Sequence, residues 1–238
     1  MKEYVDLFLR EMGTSKIPEL VQQLANAALE APAPDEDEAD SDPVYGSLNG
    51  AVEIALTFDD GPKASTTPQI LDELKKRDIR ATFFVLGKMA DRAAGKELVR
   101  RMLAEGHTIG NHSWNHPNFR KISKSKVRKE VERTQKLLES LGVTSRYIRA
   151  PYGATNKEVR ALLHEMDMDL IGWNVDPEDW KHRSIEWVSR ALQGVDRRED
   201  SNIVMHDIHA STAKHLPTFL DELEERYADR DLTFVNEF

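Results

Sequence analysis

Residues Val52-Glu53-Ile54-Ala55-Leu56-Thr57-Phe58-Asp59-Asp60-Gly61-Pro62 form an apolar run that ends abruptly in two adjacent carboxylates and a Gly-Pro turn. A short apolar, partly β-branched run bounded by such a turn reads as a buried strand, so this strand delivers its acids to a turn. The same pattern recurs downstream. Apolar or β-branched runs cover 53–59, 81–87, 107–112, 147–151, 169–176, 203–206 and 232–235. Helical periodicity occupies 68–77, 96–104, 124–141, 156–166, 184–192 and 213–227, the first capped by Thr67 with Pro68 at its first helical position. Seven strand signals joined by helical crossovers imply a parallel sheet, and near-continuous apolar strands imply burial on both faces.

A barrel and a doubly wound sheet both satisfy that alternation. The polar residues separate them, because they sit at the C-terminal ends of strands: Asp59 and Asp60, His112, Arg149, Asp176 and His206. Reactive groups from five strands meeting at one end are the arrangement of a (β/α) barrel, whereas an open sheet focuses its site on the strands beside one switch point. The expected fold is therefore α/β, a seven-stranded (β/α) barrel over residues 49–238.

The N-terminal region reads differently. Residues 1–30 carry Val5, Leu7, Phe8, Leu9, Met12, Leu20, Val21, Leu24 and Ala28, two short amphipathic helices split near Gly13-Thr14. Residues 31–48 hold Ala31-Pro32-Ala33-Pro34 and an acidic run from Asp35 to Asp42. That is the composition of a flexible tether, since like charges repel and little apolar surface is present to bury.

The 238 residues suffice for one substantial core. A formal charge of −9, with Lys and Arg dispersed, argues against nucleic acid as a partner. No cysteine is present, so neither disulfides nor thiolate ligands are available. No apolar run approaches membrane-spanning length, and the N-terminus lacks a basic-then-apolar secretory pattern. The expectation is a monomer in the cell envelope or secreted if a targeting segment has been removed, and otherwise cytoplasmic.

Asn111-His112-Ser113-Trp114-Asn115-His116-Pro117 supplies two imidazoles at i and i+4, a spacing that places both on one face of a helical turn. One carboxylate and two histidines make a metal triad with positions left open, as catalytic sites have. Arg149-Ala150-Pro151-Tyr152-Gly153, Asp176-Pro177-Glu178-Asp179-Trp180 and Ile203-Val204-Met205-His206-Asp207 add three more polar strand ends. Together they point to metal-assisted hydrolysis.

These five segments, in this order, resemble the motifs of the NodB-homology polysaccharide deacetylases, carbohydrate esterase family four, over about residues 51–238. The resemblance implies a distorted (β/α) barrel that removes acetyl groups from N-acetylated sugars, in chitin oligosaccharides or peptidoglycan, with one divalent ion. Zinc is the expected metal, with cobalt, nickel or iron as alternatives. By similarity, Asp60, His112 and His116 hold the ion and Asp59 is the base, oriented by Arg149. A ligand's basicity is spent on the cation, which agrees with giving the proton to its neighbour. The backbone N–H of Tyr152 is assigned to the oxyanion, His206 to protonating the amine, and Asp179 to holding the charged imidazole. Trp180 is expected to wall the site, Pro151 and Tyr152 to contact substrate, and Val204 to line the acetyl pocket. Val204 departs from the family, which more often has leucine there, and implies a roomier pocket. Trp114 and Trp173 are candidates for stacking on sugar rings or for the core. His209 and His215 receive no role, and His107, His164 and His182 read as surface or structural groups.

Consecutive strand residues face opposite ways, so Asp59 and Asp60 converge only if the strand breaks at Gly61-Pro62. Three other readings use the same residues. An acetyl ester hydrolase acting on xylan would depend less on His206. A 2-His-1-carboxylate iron oxygenase leaves Asp59, Arg149 and His206 without work, and a dead sugar-binding module expects a missing ligand or base.

Overall fold

The computed structural model describes residues 52–238, so the helices expected in 1–30 and the acidic tether of 31–48 lie outside the described residues. Among the described residues seven strands, all parallel, form one sheet: β1 (Val52–Asp59), β2 (Thr82–Val85), β3 (Thr108–Asn111), β4 (Tyr147–Ile148), β5 (Asp169–Leu170), β6 (Asp200–His206) and β7 (Leu232–Val235). Between them run α1 (Thr67–Lys76), α2 (Gly87–Ala90), α3 (Ala93–Ala104), α4 (Lys124–Ser140), α5 (Lys157–Glu165), α6 (Glu186–Val195) and α7 (Ala210–Arg226). The strand order is β5-β4-β3-β2-β1-β6, with β7 pairing the N-terminal half of β1 and β2 its C-terminal half.

β1 is the axis of the assembly. It pairs with β6 from Glu53 opposite Asp200 to Asp59 opposite His206, so register alone sets the first carboxylate beside the imidazole at one end of the barrel. Val52, Ile54, Leu56 and Phe58 are buried with Phe83, Met205, Trp187 and Phe219 in one continuous core, where Phe58 stacks on Phe83 at 5.1 Å. A second apolar cluster joins Phe119, Val127, Val131, Ile148, Val159, Leu162 and Met168 beneath α4 and α5. The apolar stripes of the helices account for both, because each buries one face on the sheet.

Closure of the barrel is irregular between β5 and β6. The run expected over 169–176 pairs with β4 only through Leu170, after which Ile171 N–H still donates to Ile148 O at 2.8 Å. The chain then crosses to the other side of the gap. Asn174 and Val175 both donate to Asn202 O at 3.1 Å, and a single bridge joins Val175 to Ile203. Gly172 and the polar Asn174 interrupt the apolar run here and let the segment leave the ladder.

Helix α1 also differs from its sequence reading. It begins at Thr67, and Thr66 occupies the cap position without making a side-chain cap bond. Both hydroxyls are used elsewhere: Thr66 Oγ1 donates to Asp207 O and Thr67 Oγ1 to Asp207 Oδ2, each at 2.5 Å. These tertiary bonds, one to the Asp207 main-chain carbonyl and one to its carboxylate, hold both hydroxyl oxygens away from the first-turn amides that a cap would accept.

Candidate functional site

The strand breaks at Asp60, whose φ of +76° turns its side chain out of the alternation and lets it face the same cavity as Asp59. Gly61 is required by packing, since a Cβ there would collide with the Asp207 carboxylate. His112 follows β3 directly. The helical turn expected at 112–116 does not form; the chain makes a loop with φ of +68° at Ser113 and +66° at His116. Side chains explain why. Asn111 Oδ1 accepts Ser113 N–H at 2.9 Å, Glu130 Oε2 accepts the Trp114 and Asn115 amides at 3.0 and 2.7 Å, and Ser113 Oγ accepts His116 N–H at 3.0 Å. Pro117 also disfavours helical geometry at His116. The loop still brings the rings together, 4.9 Å apart.

Asp60, His112 and His116 can each offer a ligand atom within 4.8 Å of the others. Nε2 of His112 lies 3.6 Å and Nε2 of His116 3.3 Å from Asp60 Oδ1, a buried oxygen without a hydrogen-bond partner. His112 Nδ1 meets the Arg149 carbonyl at 2.8 Å. A carbonyl only accepts, so Nδ1 carries the proton and the Nε2 lone pair faces Asp60. Burial, reinforced by the neighbouring His112, pushes the His116 imidazole down to about 4, which keeps it neutral and able to ligate. An orphaned carboxylate oxygen facing two imidazole nitrogens fits a divalent cation.

Beside the triad, Asp59 accepts from Arg149 Nη1 at 2.9 Å while its Oδ2 lies 3.8 Å from His112 Nε2. Arg149 is only 1% exposed, and its guanidinium also donates to Thr57 Oγ1, Asn202 Oδ1 and the carbonyls of Ile171 and Gly172. Such a pair holds the Asp59 carboxylate in one orientation through a fully occupied fork. Across the cavity, His206 Nδ1 meets Asp179 Oδ1 at 2.7 Å, and Asp179 Oδ2 accepts His206 N–H at 2.8 Å and Thr212 Oγ1 at 2.6 Å. Burial opposes the charged imidazole, but the Asp179 hydrogen bond and charge outweigh it, and with Asp59 and Asp60 raise His206 to about 9.

These groups line one cavity of about 370 Å³, walled by Asp59, Asp60, His112, His116, Tyr152, Trp173, Asp176, Trp180, Val204 and His206. Tyr152 holds φ +62° and is 67% exposed, with its ring 4.4 Å from that of His116. Trp180 is 47% exposed at the rim. Arg149, Asp179 and Pro151 are buried behind the lining, so Pro151 shapes the wall without facing the cavity. Of the two candidate stacking residues, Trp173 lines the cavity, whereas Trp114 is buried beneath Arg133. His107 is a buried structural group whose Nδ1 accepts Ala81 N–H. His182 bridges Glu178 and Glu186 at the surface.

Sequence reasoning passed over Asp207. It is fully buried, fastens Thr66 and Thr67, and presses on Gly61, while Lys63 Nζ donates to the next carbonyl, Ile208 O. The turn bearing Asp60 is thereby stitched to the strand end bearing His206. Asp207 follows His206 directly, and an acid at the end of an apolar strand was the available signal.

The polysaccharide deacetylase family profile matches residues 49–171. The chain is 43% identical over 175 residues to the peptidoglycan N-acetylglucosamine deacetylase PgdA of Listeria monocytogenes, covering 73% of this chain and 36% of that protein. It thus spans about a third of that relative's length. A chitooligosaccharide deacetylase from a Bradyrhizobium species is 36% identical over 68% of this chain and 74% of its own. Among solved structures, peptidoglycan deacetylase PdaC from Bacillus subtilis superposes with a TM-score of 0.69 at 39% identity, covering 78% of this chain and 88% of that one. With the parallel barrel and the five motifs at its mouth, these matches show that the chain belongs to the polysaccharide deacetylase family.

Proposed function

We propose that this protein is a metal-dependent hydrolase that removes N-acetyl groups from N-acetylglucosamine-containing glycans. The observation that carries the reading is the division of labour across one cavity. A triad fit for a cation and a base tied to Arg149 lie on one side, and an imidazole charged by Asp179 on the other. The activities for which the relatives are named support the amide over the ester.

Asp60, His112 and His116 would hold one divalent ion, with zinc the candidate their donor set suits. Bound there, the ion supplies Lewis acidity, polarising the acetyl carbonyl and lowering the pKa of water. Asp59 takes the proton from the attacking water, its other oxygen held by Arg149. As water oxygen bonds to the acetyl carbon, the Tyr152 backbone N–H receives the developing oxyanion. His206 then delivers a proton to the amide nitrogen as the C–N bond breaks, leaving acetate and a free amine. Asp179 keeps that proton on His206 near neutral pH. Val204 and Trp173 face the cavity where the acetyl methyl and sugar would lie.

Acetate release from chitopentaose, peptidoglycan and acetylxylan, measured with and without added zinc after chelation, tests the reading. Zinc-dependent release from the first two, faster than from acetylxylan, is expected. Faster release from acetylxylan at equal metal loading would assign an ester hydrolase instead.

A further inference from the structure

The segment that closes the barrel irregularly has two sides. Trp173 and Asp176 line the catalytic cavity, while Asn174, Val175 and the same Asp176 line a second cleft of about 240 Å³ against α6. The rest of that cleft is Arg190, Gln193, Gly194, Arg197 and Arg198. Three guanidinium groups and two side-chain amides thus border a cavity with a single carboxylate, on a chain whose net charge is −9. The Asn174 amide is spent on Asp200 O at 3.0 Å and on Asn202 N–H at 2.8 Å, so the unused donor capacity lies in the arginines. Arg190 spends one nitrogen on Glu178 Oε2 at 2.5 Å and Arg198 one on Gly194 O at 2.7 Å, while Arg197 makes no hydrogen bond or ion pair to the described residues.

The catalytic cavity has the opposite character. Asp59, Asp60 and Asp176 line it, and among the described residues no Lys or Arg does. Those carboxylates are matched by the His206 imidazole held charged by Asp179 and by the ion the triad would hold, so an acidic substituent of the substrate finds no spare cationic donor there and has to be met beyond the reacting sugar. The arginine cleft adjoins the site across Asp176, and a planar fork of donors matches a carboxylate in a bidentate manner.

We propose that this cleft is a carboxylate-binding subsite, which seats an acidic substituent of the glycan beside the sugar whose N-acetyl group enters the catalytic cavity. The proposal rests on the deacetylase reading and deepens it: the preferred substrate is an acid-bearing glycan such as peptidoglycan rather than neutral chitin.

The test is equilibrium binding to the full chain carrying Asp59→Asn, so that glycan persists during the measurement. The probes are a peptidoglycan tetrasaccharide with peptide carboxylates and neutral chitotetraose. The peptidoglycan probe should bind more tightly. Arg197→Gln should weaken it by about tenfold, the scale of a charge-assisted hydrogen-bonded contact, and leave chitotetraose within about twofold. Arg197→Lys should recover part of the loss, since it restores charge without the fork. Arg198→Gln serves as an independent variant should Arg197→Gln fold poorly. Equal affinities for the two probes, or equal losses on both, would overturn the subsite. If the unsubstituted protein released no acetate from either glycan, the deacetylase reading would fall, and with it the preference for acid-bearing substrate that the subsite was inferred to explain.

Discussion

The two sides of the catalytic cavity are built by different means. On the acid side, Asp179 is fully buried and receives three hydrogen bonds, two from His206 and one from Thr212. Its carboxylate is satisfied by the protein alone. On the metal side, Asp60, Ser113 and His116 hold left-handed backbone, and Asp60 Oδ1 is buried without a partner. One half is complete as folded, and the other would be completed by the proposed cation. Left-handed residues cost free energy and persist where surrounding structure fixes them. Here the Glu130 carboxylate and the Asn111 and Ser113 side chains fix the loop.

That contrast predicts unequal consequences. Asp60→Ala should remove metal and activity together, bringing turnover down to that of the chelated protein, as read by elemental analysis beside acetate release. Full activity without detectable metal would break the assignment. His206→Ala should spare metal and cost about 100-fold on amides, the scale of a positioned acid, with a smaller loss on activated esters. Equal losses on both would argue against its acid role.

A smaller effect is expected from Asp179→Asn. With no cation on the triad the His206 imidazolium persists to about 9, so it is the competent acid at neutral pH and activity should fall on the alkaline side. Removing the Asp179 charge should bring this alkaline limb down by about one pH unit or more. A cation on the triad offsets the share contributed by Asp59 and Asp60, so the limb of the zinc-loaded enzyme should lie lower than 9. An alkaline limb unmoved by Asp179→Asn would detach Asp179 from the acid.

The smallest effect concerns the seam between the halves. Burial pushes the Asp207 carboxyl up to about 7, against a hydrogen bond from Thr67. Its folded value lies above its unfolded one, so ionisation costs stability: the cost is absent below about pH 4 and grows until about pH 7. Asp207→Asn keeps an acceptor for Thr67 and removes that cost. Its melting temperature relative to the unsubstituted protein should therefore be higher at pH 8 than at pH 5. A pH-independent difference would mean that Asp207 is ionised throughout.

The barrel and the placement of the site were legible because both rest on strong local signals. Apolar runs ending in polar groups located the ends of β1, β3 and β6 to within one residue, and β7 was read over the residues it occupies, whereas the runs over 81–87 and 147–151 extend past Val85 and Ile148, where β2 and β4 end. The gap after β5 was not legible, since the run over 169–176 has strand composition while its partners lie first on β4 and then on β6. The i, i+4 histidines show a different limit. Their spacing suits a helix, but acceptors from Asn111, Ser113 and the distant Glu130 decide the backbone, and no local pattern contains Glu130. Thr67 failed as a cap for the same reason, as its acceptor is 140 positions away. Asp59 and Asp60 did converge by the strand break that Gly61-Pro62 suggests.

The central claim is that adjacent carboxylates have separate duties, Asp59 moving the proton and Asp60 holding the ion. Metal content and acetate release measured on one preparation of Asp59→Asn test it most directly. About one divalent ion should be retained, with turnover lowered by about 100-fold or more. Loss of the ion with that substitution, or turnover near that of the unsubstituted protein with the ion in place, would contradict it.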